Sequence, residues 1–73
     1  MSRTKFQSGN VQNNETSAFD FGTSIITAAV ALQEFSGGDA SCSISGISGS
    51  RVFVKASTSG DYVRVLVIAE CDS

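Results

Sequence analysis

The hydrophobic pattern is most regular at the end of the chain. In Tyr62–Cys71, an extended backbone would put Val63, Val65, Val67, Ala69 and Cys71 on one face. Leu66 and Ile68 make the middle of the other face apolar as well. A strand that is apolar on both sides belongs at the centre of a sheet and needs cover above and below. In so short a chain, a second copy is the simplest source of the outer cover.

Upstream, the same alternation recurs in shorter pieces. Thr4 and Phe6 fall on one side and Arg3, Lys5 and Gln7 on the other, predicting a half-buried strand with Phe6 toward the core. Ser8-Gly9-Asn10 is expected to bend or bulge it before Val11. A polar turn follows at Gln12–Glu15, then a second strand at Ala18–Phe21 with Phe19 and Phe21 inward. Gly22-Thr23-Ser24 breaks it.

Residues 25–35 fit two periods. As a helix, Ile25, Ala28, Ala29 and Leu32 form a stripe, with Thr23 or Ser24 as N-cap and Gly37 as the stop. As a strand, Ile26, Ala28, Val30 and Leu32 share a face. The alanines favour the helix. The β-branched Ile25, Ile26, Thr27 and Val30 favour the strand, and Glu34 would sit at the unfavourable end of a helix dipole. The β-like remainder of the chain tips the balance to strand.

After a loop at Ser36–Asp39, Ala40, Cys42 and Ile44 alternate with serines. Gly46–Ser50 is expected to turn the chain into Val52, Val54 and Ala56, which alternate with Arg51, Phe53 and Lys55. Thr58–Asp61 then reads as a tight hairpin into the final run. The result is a single all-β domain over residues 1–73: a small antiparallel β-sandwich or flattened barrel of five to six strands, mostly joined as neighbours. With no proline to blunt them, its edge strands call for another protection, such as pairing between subunits.

Length sharpens this picture. A domain of 73 residues buries only about 60% of its unfolded surface, and folds of this size often lean on disulfides, metals or oligomerisation. Two cysteines, Cys42 and Cys71, and no histidine do not make the usual zinc patterns. With a cytoplasmic product expected, the two cysteines are read as free thiols, with one Cys42–Cys71 disulfide as the alternative that the sequence leaves open. No secretory run follows Met1–Lys5, so the chain is expected to be made in the cytoplasm, with a virion as one destination. Ile25–Leu32 is too short to span a bilayer, and no membrane partner is expected.

Charge and chemistry point away from catalysis. Without histidine there is no Ser-His-Asp or Cys-His set, and no enzyme activity or cofactor is expected. The seven carboxylates mostly sit beside turns, where they cap backbone groups. Gly37-Gly38-Asp39 and Gly60-Asp61 lack the spacing of a calcium loop, and no Ser-Gly pair continues into a phosphate loop. Net charge is −2, and charged residues make up 16% of the chain against about 25% in ordinary domains. Such a surface resists self-association weakly.

The basic residues Lys5, Arg51, Lys55 and Arg64 could align on neighbouring strands with Phe53 and Tyr62. The acidic balance opposes a nucleic-acid partner. A better use is a subunit interface, centred on Phe53 and rimmed by Arg51 and Lys55, with Tyr62 and Arg64 nearby.

Several phrases resemble the H-type lectin-like sandwich. Phe6-Gln7-Ser8-Gly9-Asn10-Val11 looks like its opening strand. Phe19 through Phe35 is similar to its aromatic strand followed by an apolar one. Ile47–Val54 followed by Val63–Ala69 is similar to its closing hairpin. The resemblance implies six-stranded sandwiches assembled as trimers, sugars such as N-acetylgalactosamine bound at subunit boundaries, and related folds in phage tail and virion proteins. Val67 stands where that family commonly has Trp, and the chain has neither His nor Trp to stack on a sugar, so no sugar-contact residue is carried over.

The expectation is a non-enzymatic, self-assembling module: a homo-oligomer, as a trimer, serving as a capsid decoration or tail appendage beside capsid or tail proteins. The alternative is a carbohydrate-binding lectin or adhesion module with glycans as partners.

Overall fold

The computed structural model describes all residues, 1–73, and is all-β. Six strands follow one another: β1 (Arg3–Gln12), β2 (Thr16–Asp20), β3 (Ile25–Phe35), β4 (Ala40–Ser48), β5 (Arg51–Thr58) and β6 (Tyr62–Cys71). They form two three-stranded antiparallel sheets, ordered β1-β6-β3 and β2-β5-β4. Residues 25–35 are therefore a strand, and the domain is an elongated sandwich with Cα extents of 41 × 17 × 14 Å.

The long axis is that of the strands themselves, since ten extended residues span about 34 Å. β6 lies between β1 and β3, as its apolar inner face demands.

The inner faces close on a core of Val11, Phe19, Phe21, Val52, Val54, Ala56, Val63, Val65, Val67, Ala69 and Cys71. Its wholly enclosed larger side chains are valines and Cys71. Several bigger side chains, Phe6, Ile26, Leu32, Phe35 and Ile47, are 40–63% exposed.

Strand order departs from a chain of neighbours. Of the consecutive strands, only β4 and β5 are hydrogen-bonded to each other. Thr58–Asp61 is accordingly not a hairpin: it carries the chain from one sheet to the other. The reason is visible in the loops. Residues 36–39, which carry β3 into β4, cross beside residues 58–61, and the two crossings hold each other. Ser36 Oγ accepts from Asp61 N (2.7 Å) and Tyr62 N (3.2 Å), while Thr58 Oγ1 donates toward the carbonyls of Ser36 (2.6 Å) and Asp39 (2.8 Å). Gly38 N donates to Ser59 Oγ at 2.9 Å.

Two strand phases also differ from the sequence expectation. β1 pairs with β6 without a break from Arg3 to Gln12, so Ser8-Gly9-Asn10 neither bends nor bulges it. Val11 is fully buried, and strict alternation back from it turns Gly9, Gln7 and Lys5 inward and Phe6 outward. In β3, a register shift between Ile25 and Thr27 moves Ile25, not Ile26, onto the core side with Ala28 and Val30. Ile26 is 54% exposed. In β4, the strand continues through Gly46 to Ser48 past a shift after Ile44, and the turn is confined to Gly49-Ser50, with Gly49 at φ 58°.

Candidate self-association surface

The outer face of the β1-β6-β3 sheet is built in rows across the three strands. Register places Phe6, Ile68 and Ala29 in one row and Ser8, Leu66 and Ala31 in the next. These residues alternate with the buried Val65, Val67 and Ala69, so their side chains point away from the core. Leu66 and Ile68 are half-buried, and Phe6 is 63% exposed. The apolar middle of this face has no cover within the chain. Toward the Glu70 end of the sheet, a shallow hollow of about 250 Å³ is lined by Thr4, Thr27, Ala28, Ala29, Ile68 and Glu70.

The row beyond Leu66 is polar. Arg64 Nε donates to Gln33 Oε1 and Arg64 Nη2 to Ser8 Oγ, each at 3.2 Å. The Tyr62 hydroxyl donates to Glu34 Oε1 at 2.8 Å, and this carboxylate pushes the phenol above its usual pKa. A second register shift in β3, between Leu32 and Glu34, pairs Glu34 with Arg64 and leaves Gln33 as the extra residue. The opposite end of the face carries Glu70 between Thr4 and Thr27.

The five interface candidates read from the sequence do not converge. Tyr62 and Arg64 lie on the face just described. Arg51, Phe53 and Lys55 lie on the outer face of the other sheet, because β5 and β6 belong to different sheets. Phe53 is half-buried in register between Ala18 and Gly46, and Lys55 is exposed between Thr16 and Ser43.

Arg51 Nε is 3.5 Å from Asp20 Oδ2. The Asp20 carboxylate also accepts from Gly22 N at 2.9 Å, and this bond, with Ser50 and Arg51, holds it below the ordinary carboxylate range. Arg51 is thus engaged in closing its own sheet's end. Lys5, which the sequence aligned with these cations, is on the inward-alternating side of β1.

Phe6, Ala29 and Ala31 were absent from the sequence-derived surface. The buried Val11 carries the signal that would have found Phe6, once β1 is taken as unbroken. Cys42 and Cys71 are free thiols in opposite sheets, and burial pushes the Cys42 thiol upward. At the Thr58 end of the sandwich, Asp39, Ala40, Ser41, Ser57, Thr58 and Ser59 line an open polar groove of about 320 Å³.

No protein-family model, curated protein or solved structure gives a significant match to the chain.

Proposed function

We propose that this chain is a non-enzymatic structural module that works as a homo-oligomer of three copies, as a small virion component of the capsid-decoration or tail-appendage kind. The supporting observation is the apolar outer face of the β1-β6-β3 sheet. Leu66, Ile68 and Phe6 lie outside a core whose enclosed larger side chains are valines and a cysteine. Fully covering one side chain of this size is worth about 1.5–3 kcal/mol. A contiguous apolar face marks an interaction site.

Sedimentation equilibrium at micromolar concentration is the test of assembly. Three times the 7.6 kDa chain mass is expected, and a stable monomer overturns the reading. The number three and the virion setting rest on the resemblance to H-type sandwiches, which is fold-level analogy. Mass spectrometry of purified particles from cells carrying the gene checks the setting: the chain is expected in the particle, and its absence there overturns it.

The groove of Asp39, Ser41, Ser57 and Ser59 favours a second reading, a glycan-binding module. A carboxylate among small hydroxyls is a set that can hydrogen-bond sugar hydroxyls. A glycan array at high protein concentration with no hits removes it.

A further inference from the structure

We infer that the free edge of β1 takes an added strand: an extended acidic segment of another protein, laid antiparallel along Arg3–Gln12. The self-association reading uses the face of the β1-β6-β3 sheet. This inference goes beyond it, to the edge of that sheet and a different partner.

The edge strands of the two sheets are β1, β3, β2 and β4. An open edge is a template for another chain, and folds blunt it with bulges or by keeping the strand short. All but β1 are blunted here. β3 carries Ile26 and Gln33 as extra residues against β6, and β4 carries Ser45 as one against β5. β2 is only five residues long. The ten residues of β1 run in unbroken register with β6, with no bulge and no proline. In an antiparallel pair, only alternate residues direct their N–H and C=O at the neighbouring strand. The others in β1 point away from β6. Of these groups, the Gln12 carbonyl accepts from Glu15 N, and the rest have no backbone partner in the chain. β1 is thus the one long edge left able to pair.

The side chains of β1 say what the added strand carries. Its charged residues are Arg3 and Lys5, both basic, in a chain of net charge −2. Neither has an acidic partner within the chain, where the ion pair is Arg51–Asp20. A second copy of β1 has no acidic residue to offer them. Arg3 and Lys5 share the inward-alternating side of the strand, and Phe6 lies on the other side at 63% exposure. Cross-strand neighbours on one face stabilise a sheet, opposite charges and apolar pairs among them. The fitting strand therefore has acidic residues across from Arg3 and Lys5 and an apolar one across from Phe6. In strand addition, main-chain bonds give the affinity and alternate side chains give the specificity.

Amide exchange, read residue by residue by NMR on the full chain, tests this. The probe is a synthetic peptide of the length of β1, with glutamates across from Arg3 and Lys5 and a valine across from Phe6 in antiparallel register. The control peptide has lysines in place of the glutamates. In the chain alone, the β1 amides that point away from β6 are expected to exchange fast. The acidic peptide is expected to slow them, and the lysine peptide to bind about tenfold more weakly. Arg3→Glu together with Lys5→Glu is expected to reverse that preference. If this variant does not fold, the two peptides on the parent chain still decide. Equal binding of both peptides, or protection along β3 or β4 instead, would overturn the inference. So would β1 amides already protected without peptide, which would mean that a second copy holds the edge. Sedimentation of the same samples reads self-association separately. A monomer in which the acidic peptide protects β1 keeps this inference and removes the assembly reading, and an oligomer in which neither peptide protects β1 does the opposite.

Discussion

Gly9 lies against the ring of Phe19: a Cβ added at Gly9 would come within 3.1 Å of Phe19 Cε2. The contact joins β1 of one sheet to β2 of the other, and Phe19 is only 8% exposed, so its ring has little room to retreat. Glycine is usually weakening inside a strand. Here it lets the two sheets meet at a bulky side chain. Gly9→Val is expected to destabilise the fold by about 1–3 kcal/mol through overpacking, read as a lower midpoint in urea. An unchanged midpoint would show that Phe19 does not hold that position.

The crossing of the two inter-sheet loops gives a second prediction. A Cβ on Gly60 would collide with the backbone carbonyl of Ser36. Backbone cannot swing aside as a side-chain tip can. Gly60→Ala is expected to lower thermal stability by several degrees, since each kcal/mol shifts the midpoint of a domain this small by about 4–8 °C. Ser36→Ala, which removes the acceptor for Asp61 N and Tyr62 N, is expected to act in the same direction.

Val65 and Ile68 lie three residues apart on opposite faces of β6 and are expected to separate folding from assembly. Val65 is fully buried, and Val65→Asp puts an unpaired charge into the core. Loss of the folded state by circular dichroism is expected. Ile68→Lys places its charge on the half-exposed outer face. A β-rich spectrum with the mass of a single chain is expected for that variant. A folded Val65→Asp protein would show that β6 is not central.

Tyr62 supplies a pH-dependent signal that nothing else in the chain obscures, since it is the one tyrosine and there is no tryptophan. Its hydroxyl donates to the Glu34 carboxylate, which raises the phenol pKa above the usual 10.0. With a raised folded-state pKa, this bond contributes fully below pH 10 and is lost as pH rises through the higher folded value. Ultraviolet titration of phenolate is expected to show a midpoint above 10, moving back toward 10 in Glu34→Gln. A midpoint at or below 10 in the parent chain would show the bond absent in solution.

Much of this architecture was legible in the pattern of side chains. Strict alternation in β5 and β6 marked Val52, Val54, Val63, Val65 and Val67 as core, and the paired aromatics marked Phe19 and Phe21. Where alternation is interrupted, parity is undetermined, and one residue of slip exchanges the two faces of a strand. The Ser-Gly-Asn of β1 looked like such an interruption but is not one, which turned Phe6 around. The shift after Ile25 is real but carries no glycine to announce it.

The scattering of Arg51, Phe53 and Lys55 away from Tyr62 and Arg64 has a different source. A short loop rich in Gly and Ser is compatible with a hairpin or with a change of sheet. Which occurs here is settled by contacts with a second loop some twenty residues earlier.

The β1-β6-β3 sheet joins the first strand to the sixth, with the sixth in the middle. Until Tyr62–Cys71 emerges from the ribosome, β1 and β3 have nothing to hydrogen-bond between them. The sheet cannot form cotranslationally in stages, and its birth awaits a single late insertion. A nascent chain arrested before Tyr62 should therefore remain protease-sensitive along its whole exposed length.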